Sequence, residues 1–223
     1  MIADKTQYLT AGIHIGMKTC TPYLRQFVYK VREDGLAVFN LQLVDERIRI
    51  AAGFLSHFRN LLVVSRKENG QKAAKAFADA VGAKAVTGRF TPGTLTNPHF
   101  RGFFEPDAVL VVDPLIDSQV VAEAKKKRIP IIALCDTFNL AKDIDYVIPL
   151  NNNGRKSLAL VFWILARQIL RQRGQLAKDE DFRYTLKDFG DEDKPVPEGE
   201  GPEGPKPEAP PAKPRKRKMK EEA

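Results

Sequence analysis

Three acidic residues stand where an α/β protein could do chemistry. Asp113 and Asp136 each follow directly on an apolar run, and Asp117 comes soon after the first. Carboxylates at strand ends can hold a hard cation through their oxygens, which keeps open an α/β enzyme of nucleotide or phosphate chemistry built on Asp113, Asp117 and Asp136. The same residues also read as plain structure: Asp113-Pro114 as a turn, Asp117 as the favoured negative charge at a helix start, and Asp136-Thr137 as a strand end. The phosphate motifs that would favour catalysis are missing. No Gly-x-Gly-x-x-Gly or Gly-x-x-x-x-Gly-Lys-Ser/Thr occurs, and Leu62-Val63-Val64-Ser65 runs into Arg66-Lys67-Glu68-Asn69-Gly70 instead. His14, His57 and His99 have no carboxylate, Ser or Cys spacing that would make a triad. Cys20 and Cys135 are too far apart in sequence, and too few, for a zinc site or a disulfide framework. No cofactor and no metal are expected.

Binding chemistry is better supported. Residues 88–101 form a polar, glycine-bearing loop with few aliphatic side chains and so little to bury. Its hydroxyls, amide, Arg89 and Arg101 are donors suited to phosphate and 2′-hydroxyl oxygens, while Phe90 and Phe100 could stack or simply pack. The candidate RNA contacts, drawn from polar loops and turns more than from helix faces, are Arg25, Lys30, Arg89, Thr94, Asn97, Arg101, Arg155 and Lys156. The run Lys125-Lys126-Lys127-Arg128 suits the negative end of a helix dipole without any partner, as do Arg167, Arg171 and Arg173 near a helix end. His14, between Gly12 and Gly16, reads first as part of a packed turn, with RNA contact as the other possibility.

The elements that must position these residues alternate. Residues 27–31 and 36–39 read as strands joined across Asp34-Gly35, a hairpin signal. Asn40 is a plausible N-cap for a helix whose apolar face is Leu41, Val44, Ile48, Ala51, Ala52, Leu55 and Phe58. Residues 61–64 read as a strand, and an Ala-rich helix then runs to Gly82. Strands at 85–86, 108–112, 131–134 and 146–148, a helix at 120–127, and a last helix capped by Ser157 and stopped by Gly174 complete the pattern. Strands apolar on both faces need cover above and below, so a parallel sheet in a three-layer α/β/α sandwich is expected.

The chain has 223 residues, 43% of them hydrophobic, enough for one core. Composition changes after Gly190: 8 of the 15 prolines lie in residues 191–223, which cannot bury a core and are expected to be a disordered Pro/Glu/Lys-rich tail after a domain of residues 1–190. The formal charge is +8. Of the 36 basic and 28 acidic residues, 8 and 9 fall beyond Gly190, so residues 1–190 alone carry +9. A polyanion should therefore be bound by the domain, not by the tail. No signal peptide is expected, and the longest apolar run, residues 158–166, rises only about 14 Å as a helix against a hydrocarbon core of about 30 Å. No membrane partner follows, and a protein that stays where it is made is expected.

Four blocks together carry a family pattern: Leu9-Thr10-Ala11-Gly12-Ile13-His14-Ile15-Gly16; Gly93-Thr94-Leu95-Thr96-Asn97; the stretch 106–130 with Pro106, Asp113, Asp117, Glu123 and Arg128-Ile129-Pro130; and Asp145-Tyr146-Val147-Ile148-Pro149 leading to Asn151-Asn152 and Ser157. Over about residues 6–175 the chain resembles the small-subunit ribosomal protein two family, in the form found in archaea and in the eukaryotic ribosomal protein SA. The resemblance implies a flavodoxin-like, mainly parallel five-stranded sheet with an N-terminal hairpin. It also implies a structural constituent of the small ribosomal subunit that binds ribosomal RNA and neighbouring ribosomal proteins. Such a protein is required for subunit assembly and translation, ribosome-bound in the cytoplasm, and has no enzymatic activity, cofactor or small-molecule substrate. Bacterial members carry a long helical hairpin between the second and third blocks, whereas here only residues 98–105 intervene, as in the short archaeal form.

Overall fold

Ahead of the predicted hairpin lie two short elements, α1 (Lys5–Thr10) and a 3-10 turn (Leu24–Phe27), that the sequence pattern does not announce. The computed structural model describes residues 2–176 and 182–190. Helix α1 is too short to persist on its own and buries only Tyr8, whose hydroxyl donates to Asp45 at 2.9 Å, so tertiary contact holds it. Gly35, at φ +84°, turns the chain between β1 (Val28–Val31) and β2 (Ala37–Phe39), which pair antiparallel as a separate two-stranded sheet. Asn40 then caps α2 (Leu41–Ser56) as expected, its side chain accepting from Gln42 N at 3.0 Å.

The main sheet is β3 (Leu61–Ser65), β4 (Lys84–Thr87), β5 (Ala108–Val111), β6 (Ile131–Cys135) and β7 (Tyr146–Pro149), all parallel, in the spatial order β4-β3-β5-β6-β7. Numbered within the sheet this is 2-1-3-4-5, the flavodoxin-like order. Strands β3, β5 and β6 are buried at every position, as their unbroken apolar runs require. Helix α3 (Glu68–Val81) ends at Gly82, which takes the left-handed φ of +75° that a C-cap favours. Right-handed crossovers in opposite directions put α3 on one face and α4 (Ser118–Lys127) on the other. Helix α5 (Arg155–Gln172) packs between α2 and α3 and is buried along nearly its whole length.

Two expectations need correction. Ser157 is not the cap of α5: the helix begins at Arg155 after Gly154, and the Ser157 hydroxyl donates to Asn151 O at 2.7 Å. The loop of residues 88–101 also has more to bury than its composition suggests, since Phe90, Thr94 and Leu95 are all buried. On that face α4 is the only long helix among the described residues, and the loop supplies apolar cover beside it. Phe90 therefore packs.

The basic residues near the end of α5 also turn inward. Arg173 donates to Ser56 O and Phe58 O at the end of α2 and to Val81 O at the end of α3, tying together two helix C-termini whose carbonyls lack intrahelical partners. Arg167 is buried, donates to Ile2 O and lies 4.3 Å over the Trp163 ring. Residues 182–190 pack back on this layer: Trp163 Nε1 donates to Tyr184 O, and Phe182, Tyr184 and Phe189 continue an aromatic chain from Trp163. The tail expected over residues 191–223 lies outside the described residues.

Candidate nucleic-acid interface

In a sheet of this order the ligand crevice opens beyond the carboxyl ends of the strands where the order reverses, here between β3 and β5. The chain's own side chains fill that place. Lys67, just after β3, puts its Nζ 2.7 Å from Asp113 Oδ2 and donates to Asn152 Oδ1 at 2.9 Å and to Asn153 Oδ1. Asp113 Oδ1 accepts from Leu115 N and from Asn139 Nδ2. Asn152 Nδ2 donates to Val112 O, Leu134 O and Asn139 Oδ1, stitching the ends of β5 and β6 together. Asp136 accepts from Thr137 N and Asn153 Nδ2. Gly70, at the start of α3, lies so close to this cluster that a Cβ would stand 2.7 Å from Ser65 Oγ. The acids at the strand ends are thus spent on neighbours within the chain.

Asp117 is the strained member. Its carboxylate accepts from Arg66 N at 3.2 Å, and burial pushes its pKa up to about 6, with the backbone bonds of Arg66 and Asp113 opposing and the charge of Asp113 adding. A folded-state pKa above the unfolded one means the native form holds a proton that the unfolded chain releases, so stability falls as pH rises from about 4 through about 6. Burial raises Asp136 in the same direction. Asp117→Asn keeps an oxygen for Arg66 N and removes the charge. It should stabilise the protein by about 2 kcal/mol near pH 7.5 and flatten the fall between pH 4 and 6. Urea midpoints measured across that range check this, and an unchanged midpoint at pH 7.5 would refute it.

The loop after β4 is anchored from α4. Glu123, 3% exposed, accepts from Gly93 N at 2.8 Å, Leu95 N at 3.1 Å, Thr96 Oγ1 at 3.3 Å and Gln119 Nε2 at 2.7 Å. Burial alone would raise its pKa; the bonds from Gly93, Gln119, Leu95 and Thr96 outweigh that and hold it below the ordinary carboxylate range. Thr94 faces inward, its hydroxyl donating to Thr91 O at 2.7 Å, which removes it from the surface set. Arg89, Asn97 and Arg101 stay exposed on the loop.

The remaining candidates lie elsewhere. Arg25 is exposed on the 3-10 turn and Lys30 on β1. Arg155 and Lys156 open α5, where the helix dipole disfavours cations and the first turn holds no acidic residue. The candidates fall on three segments of the chain: the 3-10 turn with the hairpin, the loop, and the start of α5. His14 sits in a pinned turn: Asn151 Nδ2 donates to Gly12 O, Asn151 N to Ile13 O, and Phe39 N to His14 O. A Cβ on Gly16 would come within 2.5 Å of Thr137 Cγ2, so only glycine fits there. Burial lowers the His14 pKa, opposed by a bond to the Tyr8 backbone and aided by the charge of Arg32. Sequence reading missed Lys67, Asn139 and Asn153; the Asn151-Asn152-Asn153 run after β7 was the available signal.

A sequence model of the family described as Ribosomal protein S2 matches residues 103–172. The small ribosomal subunit protein uS2 of Staphylothermus marinus is 52% identical over 185 residues, spanning 82% of this chain and 84% of that relative. The chain belongs to the ribosomal protein S2 family. Among the described residues no helix is long and apolar enough to cross a membrane, and no three His, Cys, Asp or Glu side chains cluster as a metal site.

Proposed function

We propose that this protein is a structural constituent of the small ribosomal subunit, of the archaeal type of the S2 family, acting in translation and not as an enzyme. The observation that carries the reading is the 52% identity to a uS2 protein along most of both chains. The protein is ribosome-bound in the cytoplasm and associates with small-subunit ribosomal RNA and ribosomal proteins, through which it serves subunit assembly.

Binding belongs to residues 1–190, which hold the charge excess. The exposed Arg25, Lys30, Arg89, Asn97, Arg101 and Lys156, with the half-buried Arg155, are the proposed RNA contacts. Arg155 and Lys156 are included for their place at the start of α5, and Arg89, Asn97 and Arg101 for the loop that Glu123 fixes. Affinity of the full chain for small-subunit ribosomal RNA should fall steeply with salt, and Arg89→Ala should lower the slope of log K against log salt by about one unit. A filter-binding salt series measures both. An unchanged slope would remove Arg89 from the set, and weak, salt-independent binding by the wild type would count against the RNA reading as a whole.

A further inference from the structure

Between α1 and the hairpin lies a cleft of about 470 Å³ lined by Lys5, Leu9, His14, Tyr29, Lys30 and Gln42, among others. Its chemistry differs from that of three other clefts among the described residues. Those beside Lys72, beside Arg128 and at the hairpin turn each include carboxylates, whereas this one has two lysines and none. The charge selects an anion, yet the lining also offers an aromatic face, aliphatic surface and the Gln42 amide, which a bare phosphate would not use.

Tyr29 is the most telling part. It is 72% exposed, the largest exposure among the large apolar side chains of the described residues. The pairing of β1 with β2 steps from Val28↔Phe39 to Lys30↔Val38, so Tyr29 is the extra residue of a bulge. Bulges at sheet edges re-aim a side chain and end the regular ladder. Here the device leaves a phenol ring at the mouth of a cationic cleft, where burial in this chain explains nothing about it.

We infer that this cleft holds one unstacked nucleotide of a single-stranded RNA segment, its base stacked on Tyr29 and its flanking phosphates set between Lys5 and Lys30. Aromatic platforms with flanking cations are how proteins hold splayed-out bases, and a volume of this size accommodates one. The edge strand β1 also invites a protein strand, but the bulge interrupts the ladder and the uncompensated lysines favour the nucleic acid.

The inference rests on the RNA-binding reading, and its test separates the two. Full-length wild type, Tyr29→Ala, Tyr29→Phe and the double variant Lys5→Gln/Lys30→Gln are titrated with a short mixed-sequence single-stranded oligoribonucleotide and with its duplex. Tyr29→Ala should weaken single-strand binding roughly tenfold or more with the salt slope unchanged, Tyr29→Phe should bind as wild type, and duplex binding should be little affected. The lysine double variant should lower the single-strand slope by roughly 1.4 units. Ultraviolet crosslinking of assembled subunits should join Tyr29 to a nucleotide. Wild-type binding that Tyr29→Ala leaves unchanged, or a crosslink from Tyr29 to a protein, overturns this site alone. Wild type that binds neither RNA overturns the RNA-binding reading with it.

Discussion

Lys67→Met should cost about 4 kcal/mol of stability, because it strips the counter-charge from a carboxylate that has nowhere else to turn. The Asp113 side chain is 1% exposed and that of Lys67 15%, so solvent screens their 2.7 Å pair only weakly. The two bonds that Asp113 Oδ1 accepts, from Leu115 N and Asn139 Nδ2, do not reach Oδ2. Asn152 and Asn153 would lose their donor as well. The decisive comparison is Lys67→Met/Asp113→Asn. An amide at residue 113 keeps the acceptor for Leu115 and removes the stranded charge, so the double variant should regain most of the loss. Denaturant unfolding of the four species of this double-mutant cycle gives the coupling directly. A single-variant loss under about 1 kcal/mol, or no recovery in the double variant, would mean that the cluster does not bind the strand ends as the geometry indicates.

That cluster explains why acids at strand ends mislead when read from sequence alone. In doubly wound enzymes the crevice at the strand reversal is left open for a ligand. Here Lys67, Asn139, Asn152 and Asn153 come from three separate connections and meet there, so the ligand's place is taken by the protein's own amides and ammonium group. Spacing along the chain cannot show this, since Lys67 meets Asp113 after β5 and Asn152 and Asn153 beyond β7.

What could be read from sequence is what depends on near neighbours. The unbroken apolar runs of β3, β5 and β6, the Asn40 cap and the Gly82 stop are settled within a few residues of themselves, and each stands in the structure as expected. Helix α1 was invisible because one buried residue, Tyr8, has no periodicity, and the group that holds it, Asp45, is on α2. The start of α5 was misplaced because Ser157 looks like a cap but bonds backwards to Asn151 O. Arg167 and Arg173 looked like solvated charge because sequence gives no sign that carbonyls from other segments would face them. The RNA candidates share that limit: their types mark them as donors, but only the fold shows that Thr94 points inward and that Arg89 and Arg101 sit on a fixed loop.

Glu123→Ala tests whether that fixing matters, and the sign of the result discriminates between two physical accounts. The substitution removes the acceptor of four hydrogen bonds and leaves the buried Leu95 N unsatisfied, so it should destabilise the protein by about 3 kcal/mol. Because the folded-state pKa of Glu123 is depressed, the wild-type contribution is present above the unfolded carboxylate range and is lost as pH falls through the folded value. The variant should therefore approach the wild type in acid and differ most near neutrality. RNA affinity carries the sharper contrast. Glu123→Ala deletes a negative charge bonded to the loop that carries Arg89 and Arg101, so if long-range electrostatics alone governed binding, affinity would rise. If the loop presents its donors in a fixed geometry, releasing Gly93, Leu95 and Thr96 from their anchor should lower affinity severalfold while leaving the salt slope near that of the wild type, since no phosphate contact is removed. Weaker binding at constant slope assigns Glu123 a positioning role. Tighter binding would mean that the loop contributes charge and no shape.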